Sequence, residues 1–153
     1  MSRCEPRPRK AGGLYAIMLM LRRRTAVRAG ALDPVSFEPG MYLYIGSAIR
    51  ALGARLARHK SASKKLRWHI DYFRRRAVWK GAFVFPLDIG ECRLAVVAAR
   101  GAGGAPAAAG FGASDCRCPG HLISAGGDEG AVRRALLAAG GRPWVEGMED
   151  GLC

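Results

Sequence analysis

Residues 41–60 read MYLYIGSAIRALGARLARHK. Tyr42 and Tyr44 are followed closely by Gly46 and Ser47, and then by Arg50, Arg55, Arg58, His59 and Lys60. The first half, aromatic and β-branched up to Tyr44-Ile45, predicts a strand that runs into a tight turn at Gly46 and Ser47. The second half predicts a helix. Ile49, Leu52 and Leu56 recur at helical spacing as its apolar side, Ser47 is placed to cap it, and Arg55, Arg58 and His59 gather in its last turns. A buried strand edge accounts for the tyrosines but not for the cations that follow them.

Working outward, GLYAIMLMLRRR (13–24) is an unbroken apolar run ending in cations, the pattern of a strand buried on both faces. RTAVRAG (24–30) predicts a short second strand, and LDPVSFEPG (32–40), with its prolines and glycine, a connection. KKLRWHIDYFRRRA (64–77) predicts a second helix with Leu66, Ile70, Phe73 and Ala77 inward. AVWKGAFVFPL (77–87) is strand-like, and ECRLAVVAAR (91–100) a short helix after a break at Gly90. GAGGAPAAAG (101–110) predicts a flexible low-complexity loop, HLISA (121–125) a last strand, and DEGAVRRALLAAGG (128–141) a helix with an acidic start and a glycine stop. Strands and helices interleaved in this order predict an α+β unit of three layers, α/β/α.

The chain has 153 residues, half of them hydrophobic, enough for one domain with a sizeable core. The expected division is a basic flexible tail at 1–11, a domain at 12–145 and a C-terminal tail at 146–153. The longest apolar run, Leu14 to Leu21, is far short of the roughly 20 residues a membrane span needs. The amino terminus MSRCEPRPRK lacks the apolar middle of a signal peptide, so a cytoplasmic protein without membrane association is expected. Twenty-five Lys and Arg against twelve Asp and Glu give a formal charge of +13. Such a field attracts polyanions, with nucleic acid the leading partner and DNA favoured. A genome that favours Arg, Ala and Gly codons is the competing source of the charge. The absence of Asn and Gln fits the same bias.

GLY at 13–15 and YIG at 44–46, each on a predicted strand and followed by a helix bearing Arg55, Arg58 and His59, resemble the GIY-YIG nuclease superfamily. PGMYLYIGSA, RLARH, WHIDYF, ECRLA and GFGASDCRCPGHL, in that order, narrow the resemblance to a GIY-YIG-like subfamily catalogued as a domain of unknown function. That subfamily is sometimes attached to endonuclease III-type repair enzymes. The resemblance covers roughly residues 12–125. It implies a small central mixed or antiparallel sheet flanked by helices, and hydrolysis of DNA phosphodiester bonds with Mg²⁺ or Mn²⁺, in the company of a DNA-repair partner.

In such enzymes a strand tyrosine assists water activation, a helix arginine holds the phosphate and one glutamate binds the metal. Tyr15 and Tyr44 match the signature tyrosines, and Arg55 the arginine, with His59 one turn on along the same helix face. Glu91, opening ECRLA, is the candidate for Mg²⁺, since a single carboxylate plus waters suits that ion. Ser47, Arg58, Lys60, Lys64, Lys65, Arg67 and His69 are the candidate nucleic-acid contacts. A tyrosine acts as a base only where its pKa of about 10 is lowered, and Arg55, His59 and a metal on Glu91 are expected to do this. Each residue also has a purely structural reading: the tyrosines as cross-strand packing, the cations as a solvated helix end, Glu91 as an ordinary first-turn acid, and His69 and Asp71 as part of the fold. The chain departs from the pattern twice. The distance in sequence from Tyr15 to Tyr44 is wide, implying an extra hairpin, and the downstream asparagine that many members use has no counterpart. A nucleic-acid-binding module of the same fold that does not cut is the alternative.

The five cysteines are an odd number in a chain without a secretory signal, which argues against a disulfide framework. Cys116, Cys118 and His121, with Cys92 as a distant fourth, have the donor chemistry for Zn²⁺. Cys-x-Cys is tighter than the usual zinc spacing, so buried structural cysteines compete with a zinc-stabilised interaction domain. Ser114 and Asp115 in GFGASDC are candidates for a turn beside the catalytic face.

Overall fold

The computed structural model describes residues 12–28, 33–108, 111 and 120–147. In chain order the strands are β1 (Gly13–Leu21), β2 (Thr25–Val27), β3 (Val35–Phe37), β4 (Gly40–Ala48), β5 (Val78–Phe85), β6 (Ala105–Pro106), β7 (Leu122–Ser124) and β8 (Arg142–Pro143). The helices are α1 (Leu52–Lys60), α2 (His69–Arg74), α3 (Glu91–Gly101) and α4 (Glu129–Ala138). A six-stranded sheet has the order β6-β7-β4-β1-β5-β8, and every pairing in it is antiparallel. The fold is α+β, as the residue order predicts.

β1 is the keystone because its run of apolar residues has no polar face to give to water. Tyr15, Ile17, Leu19 and Leu21 project into one layer, where they meet Tyr42 and Tyr44 of β4, Leu52 and Leu56 of α1, and Ile70 and Phe73 of α2. Leu14, Ala16 and Met18 project into the other, against Leu43 and Ile45 of β4, Leu94 and Ala98 of α3, and Val132 and Leu136 of α4. The alternation of side chains across a strand thus divides the helices into two pairs, one on each face of the sheet. The predicted three layers are present.

The expected extra hairpin is β2 paired with β3. β3 lies inside LDPVSFEPG, which the prolines had marked as a connection. Val35 and Phe37 alternate with Ser36, and Phe37 reaches the core beside Tyr42 and Phe73. Four further expectations are corrected. α1 begins after Ile49, which is 81 % exposed and takes no part in an apolar helix face. α2 is shorter than KKLRWHIDYFRRRA, because residues 61–68 form an irregular turn in which Leu66 is only half-buried. GAGGAPAAAG contributes its first glycine to α3 and Ala105–Pro106 to an edge strand against β7; its last two residues lie outside those described. β7 is followed by β8, so HLISA is not the last strand. α4 matches its signals, with Asp128 accepting a hydrogen bond from the Ala131 amide at its start. No helix among the described residues is long and apolar enough to cross a membrane.

Candidate functional site

The two signature glycines have steric causes. Tyr15 on β1 pairs in register with Gly46 on β4, and a Cβ at Gly46 would lie 2.4 Å from the Tyr15 Oη. Only glycine lets the Tyr15 ring lie across its neighbour strand. A Cβ at Gly13 would meet Leu52 at 2.7 Å, so Gly13 admits the first turn of α1 against the sheet. Between β4 and α1 the chain turns at Ala51, which has φ 53° and is the one non-glycine residue described with positive φ. This left-handed residue starts α1 without a side-chain cap, so Ser47 does not cap it. Ser47 belongs to β4, and its hydroxyl donates to Glu91 Oε2 at 2.6 Å.

Turning the chain there brings α1 back over β1 and β4. His59 in its last turn is 2 % exposed, and its Nε2 lies 2.8 Å from the Tyr15 Oη. The Tyr44 ring centroid is 5.9 Å from that of His59 and 6.4 Å from that of Tyr15. Arg55, one turn earlier, donates from Nη1 to the Ser47 carbonyl at 2.6 Å and lies 5.2 Å from the Trp68 ring centre. Glu91 opens α3, and His121 Nδ1 is 2.6 Å from its Oε1. The structure therefore joins Tyr15, Tyr44, Arg55, His59 and Glu91 into one chain of contacts, with Ser47 linking Arg55 to Glu91.

Burial dominates the electrostatics. It raises the pKa of Tyr15 far above the ordinary phenol value, and nearby Arg55 offsets this only in part. Tyr44 is raised by burial too, then by Tyr15 itself. Arg55 acts in the expected direction, but among the protein's own groups removal from water outweighs it, and Glu91 and Asp71 act in the same direction as burial. His59 is pushed down to about 3 by burial, with Lys64 adding to the effect. It is a neutral imidazole at neutral pH. If Tyr15 donates to Nε2, the ring carries its proton on Nδ1, a buried atom with no hydrogen-bond partner among the described residues. Glu91 is partly buried, which raises its pKa, but His121 and Ser47 prevail and hold the carboxyl below the ordinary value.

Several candidate nucleic-acid contacts are already engaged inside the protein. Asp71, with its side chain fully buried, accepts both nitrogens of the Arg58 fork at 3.0 and 2.9 Å and the amides of Arg67 and Trp68. Burial favours its neutral form, but these bonds win and bring its pKa down to about 2. Lys64 lies 3.5 Å from the same carboxylate and donates to the carbonyls of Arg58 and His59, its side chain 8 % exposed. Arg58 and Lys64 thus brace the turn before α2. They are not open phosphate contacts, because the polar atoms they would offer are turned onto Asp71. Arg58 also stacks on Trp68 at 4.3 Å, and Trp68 packs on His59 at 5.4 Å. Lys60 pairs with Glu146, and Lys65 and Arg67 stand exposed. The His69 ring packs 5.5 Å from Phe111. The Glu91–His121 pairing and the stacking of Trp68 on Arg58 and His59 are what sequence reasoning missed, and it gave Asp71 a place in the fold without its partners. His121 lies far along the chain from Glu91, where no local spacing marks it.

Glu91 has the chemistry for Mg²⁺. It is a hard carboxylate, 30 % exposed, and accepting one donor on each oxygen leaves a further lone pair on each. For Zn²⁺, Cys116 and Cys118 lie outside the described residues, as do Ser114 and Asp115. Cys92 Sγ is 3.8 Å from His121 Nε2. Among the described residues no group of three or more His, Cys, Asp or Glu is arranged to hold a metal.

No curated protein and no solved structure matches the chain at a significant level. A family model does, over residues 14–139, a span that runs from β1 through α4 and includes Tyr15, Tyr44, Arg55, His59 and Glu91. The chain belongs to the family described as domain of unknown function DUF123.

Proposed function

We propose that the protein is a cytoplasmic endonuclease of the GIY-YIG type, hydrolysing DNA phosphodiester bonds with Mg²⁺ or Mn²⁺ and acting in DNA repair. The observation that carries this reading is the convergence of a Tyr15–His59 hydrogen bond with Arg55 and with Glu91, from β1, α1 and α3. Phosphodiester hydrolysis needs these parts: a proton acceptor for water, a cation for the non-bridging oxygens and a carboxylate for a divalent ion. Arg55 presents more N–H donors than its bond to Ser47 uses, which suits a phosphate oxygen.

Tyr15 enters as a phenol and not as a phenolate. Its oxygen takes a proton from water while its own proton passes to His59 Nε2, so the net charge appears on the imidazole and the phenol is regenerated. A bound phosphate anion beside His59 favours the imidazolium and offsets the burial that suppresses it in the free protein. Mg²⁺ held by Glu91 would neutralise charge on the phosphate and on the leaving oxygen. Ser47 and His121 orient that carboxylate from either side.

Two observations favour a second reading, a module that binds nucleic acid without cutting. Both phenols resist ionisation, and no asparagine stands anywhere in the chain to complete the superfamily's set. Incubation of the purified protein with supercoiled and branched DNA, with Mg²⁺ or Mn²⁺, separates the two. Nicked product supports the nuclease; binding without any product in either metal supports the module.

A further inference from the structure

Two arginine triplets, Arg22-Arg23-Arg24 and Arg74-Arg75-Arg76, have no part in the Tyr15 site. The antiparallel pairing of β1 with β5 sets them side by side. Met20 lies opposite Val78, so the residues leaving β1 run beside those entering β5. Arg74 is structural: it donates to the carbonyls of Lys60 and Ala77 and sits 5.8 Å from the Trp79 ring centre. The other five are exposed. Arg24 lies 3.3 Å from Glu38, an open pair that is weak in water. Arg22, Arg23, Arg75 and Arg76 make no ion pair among the described residues.

Four arginines gathered where β1 ends and β5 begins, with no ion pair among the described residues, repel one another, and an anion that bridges them removes that repulsion. The planar fork of each matches phosphate oxygens two at a time. Among the described residues no large exposed apolar side chain lies in or next to the two triplets in sequence, so this part of the surface lacks the wedge with which a basic surface enters a lipid headgroup layer. Its place in the fold is also informative. Arg22, the residue after β1, is seven residues from Tyr15, about 24 Å at ~3.4 Å per residue. That is the length of roughly seven phosphates of one DNA strand at ~3.4 Å each.

We infer that Arg22, Arg23, Arg75 and Arg76 form a second surface for the phosphate backbone of a nucleic-acid duplex. It holds the flank of the duplex whose reacting phosphate sits at Tyr15 and Arg55. The inference rests on the proposed function for that second clause. Backbone contacts of this kind fix register and carry no base preference.

The test compares wild type with the quadruple variant Arg22→Gln, Arg23→Gln, Arg75→Gln, Arg76→Gln, whose changes are all at the surface. Binding is read by fluorescence anisotropy on a hairpin duplex of about six base pairs and a duplex of about twenty-four, across a salt series. The variant is expected to lose roughly tenfold or more in affinity for the long duplex at low salt, and its log-log salt slope to fall by about 3 to 4, at ~0.9 for each phosphate no longer neutralised. Affinity for the short hairpin should be unchanged. A wild-type slope and affinity in the variant overturn the inference, as does a selective loss of binding to phosphatidylserine vesicles with duplex binding intact. Cleavage keeps the two ideas apart. Wild type that shows the predicted loss on substitution but cuts nothing retains this surface and sinks the nuclease; wild type that cuts while the variant binds normally does the reverse.

Discussion

The Tyr15 hydroxyl and His59 Nε2 lie 2.8 Å apart with both residues largely buried, Tyr15 3 % and His59 2 % exposed. The pair joins the centre of the sheet to the last turn of α1. Burial disfavours charge on either member, so the resting state is a neutral phenol bonded to a neutral imidazole.

This neutrality makes the fold sensitive to acid. The unfolded chain binds a proton at His59 near pH 6.5, whereas the folded chain resists until about pH 3. Between those values the unfolded state holds more protons, so stability falls as pH falls, by at most about 1.4 kcal/mol per pH unit from this group. Above pH 6.5 the contribution is complete. Asp71 acts in the same direction lower down, between the ordinary value 3.8 and about 2. Urea unfolding from pH 7 to pH 4 should show the decline, and His59→Phe should flatten it. A wild-type stability that is constant over that range contradicts the buried neutral imidazole.

Gly46→Ala places a methyl group where the Tyr15 phenol lies. The ring must swing away from His59 or the strands must part, at roughly 1 to 3 kcal/mol for overpacking. The expected result is a lower urea midpoint with lost cleavage. In a Tyr15→Ala background the same substitution should be nearly neutral. Thermal melts of the four proteins in the cycle give the coupling, and strict additivity would refute the steric account.

Asp71→Ala leaves Arg58 and Lys64 facing each other over an empty carboxylate site and frees the amides of Arg67 and Trp68. Removing one partner of a buried, hydrogen-bonded pair costs about 3 kcal/mol or more. Chemical denaturation measures it. A loss below about 1 kcal/mol would mean that the turn before α2 is held by the packing of Trp68 and not by Asp71.

How far the sequence foretold this site depended on locality. The strands carrying Tyr15 and Tyr44 are legible because β1 and β4 are long and apolar, and the glycines beside the tyrosines mark a close approach. Arg55 and His59 share a face by helix periodicity alone. What escaped depends on residues far apart in the chain. Ser47 reads as a helix cap from its neighbours, yet a left-handed Ala51 inserts itself before α1 and Ser47 turns to Glu91 instead. Arg58 and Lys64 read as phosphate contacts from their charge, and a buried Asp71 in the next helix claims both. β3 was hidden by the prolines on either side of Val35 to Phe37, which bound the strand without interrupting it.

The central claim is that Tyr15 and Arg55 act on a phosphate and do more than pack. Single-turnover cleavage of a pre-bound branched duplex with Mg²⁺, for wild type, Tyr15→Phe and Arg55→Ala, tests it most directly. Loss of a preorganised charge-stabilising donor lowers rates by about 10² or more, so Arg55→Ala should fall by that factor. Tyr15→Phe should fall similarly while retaining duplex affinity, since it removes one hydroxyl and leaves the exposed cations unchanged. Wild-type protein that binds the duplex but yields no product, or a Tyr15→Phe variant that cuts at the wild-type rate, would contradict it.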